Sequence, residues 1–102
     1  MLFNFSIWPI AAGDKTAEAV AGVIDVIDRS GLPYQLTAMA TLIEGEWHEV
    51  LPLITECELR TRERYGRTYC VLTVDSDARG AGGELSHDVR EVERILGRPL
   101  RT

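Results

Sequence analysis

The sequence predicts an α+β fold in which helices pack on one antiparallel sheet, and three observations carry that prediction. Apolar residues alternate with period two in short runs and recur with helical spacing in longer ones. The runs follow the order strand, helix, two strands, helix, strand, helix. The chain has 102 residues, 45% hydrophobic and 26% charged, which suits one domain over residues 1–102 with a single core.

Each element has its own signature. Phe3, Phe5 and Ile7 alternate with Leu2, Asn4, Ser6 and Trp8, and Pro9 marks the end of that strand. After a loop at Ala11 to Asp14, Val20, Val23, Ile24 and Ile27 form one face of a helix, with Asp14 or Thr16 placed to cap it and Gly31 to end it. Leu32 to Thr37 and Met39 to Ile43 read as two short strands joined by a tight hairpin or bulge. A second helix from Glu46 sets Trp47, Val50, Leu51 and Ile54 on one face, and Pro52 predicts either a kink or a later start. Thr68 to Asp75 is a strand, Asp77 to Gly83 a glycine-rich mobile loop, and Leu85 to Leu96 a last helix stopped by Gly97 and Pro99.

The sum is a ferredoxin-like βαββαβ sandwich with an additional C-terminal helix. Two helices then cover one side of the sheet. The other side carries Leu2, Asn4, Ser6 and Trp8 of the first strand and Tyr69, Val71 and Thr73 of the last, too apolar a set to stand in water. A second copy of the chain is the expected cover, with a ligand or the last helix as alternatives.

Charge and composition narrow the function. A net charge of −5 counts against nucleic acid, which needs clustered cations. The first residues lack the basic start and apolar centre of a signal peptide, and no run is suited to a membrane span, so a cytoplasmic protein is expected. Cys57 and Cys70 have neither metal-ligand nor redox spacing and read as reduced, buried, small apolar residues. Ser86, His87 and Asp88 are consecutive and cannot form a hydrolytic relay, and His48 and His87 lack the companions of a zinc site. Arg60, Arg62, Arg64 and Arg67 alternate with glutamates as a solvated helix face does, though an anion is a second reading of them, and Gly80 to Gly83 lacks the Lys-Ser/Thr tail of a phosphate loop. Catalysis is not indicated, and no cofactor is expected.

The stretch that stands out is MATLIEGEWHEV, Met39 to Val50, where an apolar strand ends in Glu44, Gly45 and Glu46 and passes into a helix at Trp47. Those carboxylates suit the positive end of a helix. Equally, Glu44 beside Thr41 and Trp47 could bind a ring that presents hydrogen-bond donors.

With SIWPIAAGDKTAEAVA before it and VDSDAR and VREVERILG after it, this stretch resembles the small thiamine-binding protein family over nearly the whole chain. The most specific part is the Met-x-Thr-x-x-Glu-Gly-Glu run from Met39 to Glu46. The chain has Ala40 where relatives carry glycine, Asp88 where they carry lysine, and Ile10-Ala11 in place of Leu-Gly. The resemblance implies a dimer or tetramer that binds thiamine or its hydroxymethylpyrimidine moiety, with Thr16, Met39, Thr41 and Glu44 at the site. Glu44 would be the polar anchor, and Trp8 and Trp47, or Tyr34, would stack on the rings. The alternative is a structural or regulatory interaction module without a small-molecule ligand.

Overall fold

The computed structural model describes residues 1–79 and 83–102. Its elements are β1 (Leu2–Pro9), α1 (Thr16–Arg29), β2 (Tyr34–Leu36), β3 (Thr41–Glu44), α2 (Trp47–Tyr65), β4 (Thr68–Asp75) and α3 (Glu84–Leu96). The strands form one antiparallel sheet in the order β2-β3-β1-β4, which is the ferredoxin-like arrangement. Residues 80–82 of the expected glycine loop lie outside the described residues.

The pleat sorts β1 as its alternation predicts. Phe3, Phe5 and Ile7 are buried on the helix side with Ile43, and Val23, Ile27, Val50, Leu53 and Cys57 close over them. The buried stripe of α2 is Val50, Leu53, Cys57 and Thr61, one residue round from the predicted face. Leu51 and Trp47 are therefore partly exposed.

Local chemistry corrects three further expectations. The turn before α1 is a short 3-10 helix, Gly13–Lys15, and neither Asp14 nor Thr16 caps α1 from the N-cap position. Thr16 instead donates its hydroxyl to the Gly13 carbonyl at 3.0 Å. The helix α2 starts at Trp47 and runs through Pro52 to Tyr65 without interruption. A capping box holds that start: the Glu46 side chain accepts from the backbone of Glu49, whose carboxylate accepts the Glu46 N–H at 3.0 Å. Met39 lies in the β2–β3 turn rather than in a strand. Thr37 holds that turn, donating its hydroxyl to the Ala40 carbonyl at 2.7 Å and accepting the Ala40 N–H at 3.1 Å.

The side of the sheet away from α1 and α2 is only partly covered. Since β3 is flanked by β2 and β1, the contact of α3 with β3 must be made on that open face. No described residue of α3 is fully buried, and Val89, Val92, Ile95 and Leu96 all expose more than a third of their surface. Tyr69 and Val71 of β4 are likewise exposed, and so is Cys70 on the other side of this edge strand, where a buried thiol was expected. This apolar surface is larger than scattered single residues would make.

Two predictions follow from the packing. A Cβ built on Gly45 would stand 2.9 Å from Val50 Cγ2, so Gly45→Ala is expected to cost about 1–3 kcal/mol in urea unfolding. Cys57 is 1% exposed, and burial pushes its thiol from 9.0 up to about 11. Below pH 9 the thiol is protonated folded or unfolded and contributes no pH dependence. Between about pH 9 and 11 the unfolded chain ionises first, so stability falls with rising pH, by a total on the order of 2 kcal/mol. Unfolding followed across that range should show a shallower decline for Cys57→Ala.

Candidate ligand-binding site

The two neighbours of β1 pair with it over different lengths. Its ladder with β4 runs from Leu2↔Asp75 to Pro9↔Thr68, whereas its ladder with β3 stops at Phe5↔Thr41. Beyond that point the β2–β3 turn bends away and leaves a notch in the sheet beside Ser6, Ile7 and Trp8. Pro9 tolerates this position because its missing N–H faces a side where no strand needs it.

The notch opens into a cavity of about 190 Å3. Its walls are Phe5 to Trp8 of β1, Val20, Val23 and Ile24 of α1, and the turn from Leu36 to Thr41. An apolar cavity of roughly 150 Å3 admits a benzene-sized guest, so this one accommodates a single substituted six-membered ring.

The walls are mostly apolar, and that makes their buried polar groups conspicuous. Thr41 and Thr61 are the buried polar side chains among the described residues, each 4% exposed. Thr61 donates to the Cys57 carbonyl at 2.8 Å. The hydroxyl of Thr41, which lines the cavity, has no hydrogen-bond partner among the described residues. A buried hydroxyl left unpaired costs about 1–3 kcal/mol.

A second set of polar groups follows from the ladder itself. Ile10 donates its N–H to Arg67 of the β4 side, and Met1 accepts from Gly45 on the β3 side, so even-numbered residues of β1 bond toward β4 and odd-numbered ones toward β3. The N–H and C=O of Ile7 therefore face the notch. The ladder to β3 has ended by then, and no backbone bond reaches Ile7 from the turn. Ile7 is 5% exposed. The Ile7 N–H, the Ile7 C=O and the buried Thr41 hydroxyl thus border the cavity without partners among the described residues.

The residues singled out from the sequence separate into two groups. Trp8, Met39 and Thr41 line the cavity, and Thr16 lies one helical turn before Val20. Glu44 and Trp47 are at the other end of β3. Thr41 and Glu44 differ by three positions, which puts them on opposite faces and about 10 Å apart along the strand. Glu44 is on the open face opposite Leu2, and Trp47 packs edge-on against Phe3 on the helix side with centroids 5.3 Å apart. One protomer does not bring Glu44 to Thr41. Tyr34 is remote from the cavity and donates its hydroxyl to Asp28 at 2.7 Å. The peptide of Ile7 was missed in the sequence, although Pro9 just after it was a sign that β1 ends as an edge.

Other features are accounted for within the chain. A hollow of about 150 Å3 between α1 and α2 includes Glu18, Arg60 and Arg64 in its lining. Its cations are already engaged, Arg64 with Glu18 at 2.7 Å and Arg60 with Glu56 at 2.8 Å. Arg62 pairs with Glu58 at 2.9 Å. His87 meets Asp88 at 3.1 Å on the surface, where both side chains are at least 75% exposed. Among the described residues there is no cluster of three metal-ligating side chains, and no helix is long and apolar enough to cross a membrane.

Comparison with known proteins agrees with this architecture. The chain is 36% identical over 100 residues to UPF0045 proteins of Mycobacterium bovis and Mycobacterium tuberculosis, covering 97% of each partner in the alignment. Its fold matches a crystal structure from Thermotoga maritima, provisionally assigned to thiamine biosynthesis or salvage, with a TM-score of 0.79 at 20% identity over 89% of this chain and 96% of the other. It also matches a hypothetical protein of Methanocaldococcus jannascii, with a TM-score of 0.75 at 21% identity over 94% of both chains. The family model described as thiamine-binding protein matches residues 3–96, and the chain belongs to that family.

Proposed function

We propose that this protein binds thiamine or its hydroxymethylpyrimidine moiety without catalysis, the pyrimidine entering the cavity beside Ile7. The observation that carries the reading is the unpartnered polar set in an apolar cavity of one-ring size. An aminopyrimidine presents a ring nitrogen that accepts and an amine that donates, side by side. The N–H and C=O of Ile7 offer the complementary pair, and the Thr41 hydroxyl is positioned for a further ring nitrogen. Met39 and Trp8 supply apolar and aromatic walls, and Thr16 stands at the head of α1. In this reading Thr41 and the Ile7 peptide take over the anchoring role expected of Glu44, which lies with Trp47 outside the cavity.

The exposed stripe of α3 and the neighbouring surface of β4 support self-association into a dimer or tetramer. Two unbridged cysteines in an acidic chain suit the cytoplasm. The same stripe favours a second reading, an interaction module in which the cavity holds nothing.

Titration calorimetry separates the two. Thiamine, its phosphates or hydroxymethylpyrimidine should give saturable heat, and Thr41→Val should weaken it about tenfold while raising the stability of the ligand-free protein by about 1 kcal/mol. Glu44→Gln should stay within about threefold of the parent, since at most screened, long-range electrostatics reach the cavity. A 4-oxo analogue, which puts an acceptor against the Ile7 carbonyl, should bind at least about tenfold more weakly than the 4-amino ligand. If none of these ligands gives heat with the unaltered protein, the interaction reading stands in its place. Native mass spectrometry should show a dimer or tetramer that Val92→Glu converts to monomer.

A further inference from the structure

Independently of the pyrimidine reading, we infer that the hollow between α1 and α2 is a second ligand site, which takes a small carboxylate with an apolar body of one-ring size. The inference starts from Gly22, which lies in the middle of α1, where glycine weakens a helix relative to alanine. Its backbone is helical, so no left-handed turn calls for glycine, and a Cβ built on it would meet nothing within 4 Å. Neither conformation nor packing within the chain accounts for it. Gly22 does line the hollow, and any side chain there would narrow the space.

The hollow has an apolar base and a charged rim. Ala19, Val23, Cys57 and Thr61 form the base and are buried. Both polar groups of that base are turned into the chain: the Thr61 hydroxyl donates to the Cys57 carbonyl at 2.8 Å, and the Cys57 thiol reaches the Val23 carbonyl at 3.9 Å. Burial keeps that thiol protonated at neutral pH. With a volume of about 150 Å3, the hollow admits a benzene-sized body and offers it no charge from below. Any polar head must therefore sit at the rim, beside Arg60, Arg64 and Glu18. A cationic head would meet two arginines and a single carboxylate, so an anionic head is favoured. The ion pairs already there engage the two guanidinium groups without saturating them. Arg64 meets Glu18 through Nη2 at 2.7 Å and Arg60 meets Glu56 through Nη2 at 2.8 Å, whereas each guanidinium has five N–H donors. Pairs this exposed contribute little, so a ligand carboxylate can share or replace them at small cost. Arg64 also lies over the Tyr65 ring, 5.6 Å from its centroid, which keeps it beside the hollow.

The test is amide NMR of the full chain titrated with three probes: benzoate, its neutral isostere benzamide, and acetate, which keeps the charge and lacks the body. Benzoate should shift the amides of Gly22, Cys57 and Thr61 saturably, and both controls should bind at least about fivefold more weakly. Gly22→Leu, which enters open space and gains helix propensity, should keep or raise the thermal midpoint and abolish the benzoate shifts. Arg64→Gln should weaken benzoate about fivefold. Glu18→Gln should instead tighten it about threefold, because the ligand then has Arg64 to itself. Were the Glu18–Arg64 pair only a strap between α1 and α2, both substitutions would act in the same direction. The site is overturned if benzoate binds no better than either control, or if its shifts fail to saturate and spread over the other arginines, the mark of an adventitious ion only. An unchanged benzoate affinity in folded Gly22→Leu overturns it equally.

Discussion

The feature on which the rest depends is a difference in strand length. β1 is paired to its end by β4 but only as far as Phe5 by β3. A sheet with both ladders complete would bury the peptide of Ile7 in a hydrogen bond and bring the turn residues over the core. Because the short β2–β3 hairpin is closed by Thr37 and Ala40, it cannot supply the next rung, and the sheet keeps a gap bordered by apolar side chains. That gap is what gives this fold its cavity beside Ile7, on which the proposed binding function rests.

Closing the hairpin early has a cost that the remainder of the structure offsets. The buried hydroxyl of Thr41 and the idle peptide of Ile7 each weaken the ligand-free state. Against them stand a continuous core from Phe3 to Cys57 and a firmly capped α2. The surface ion pairs of α2 add little, since pairs this exposed are screened and entropically expensive to hold. Stability comes from the helix side of the sheet, and the proposed recognition lies at its interrupted edge.

Much of the fold was legible because its signals are local. Alternation assigned β1 and β4 and their faces, and helical spacing found all three helices. Where a single residue had to be weighed against its surroundings the reading failed. Pro52 argued for a kink in α2 or a later start, but the helix begins at Trp47 and runs on through Pro52, which lies near a start held by the Glu46–Glu49 capping box. The grouping of Glu44 with Thr41 rested on closeness in sequence and on the family resemblance, whereas the odd spacing between them places their side chains on opposite faces of one strand. The cavity itself was not legible, since it arises from where a ladder stops, and register is set by the turn rather than by the strand it abandons.

The terminal helix carries a consequence of a different kind. Thirteen residues are close to the shortest length at which a helix holds together by itself in water, and α3 gains no fully buried side chain among its described residues from its own chain. Under the self-association proposed above, its order depends on protein concentration. Dilution would fray this segment long before the sheet is disturbed, so helical content in the far ultraviolet should track protein concentration while the aromatic signal of the core stays constant.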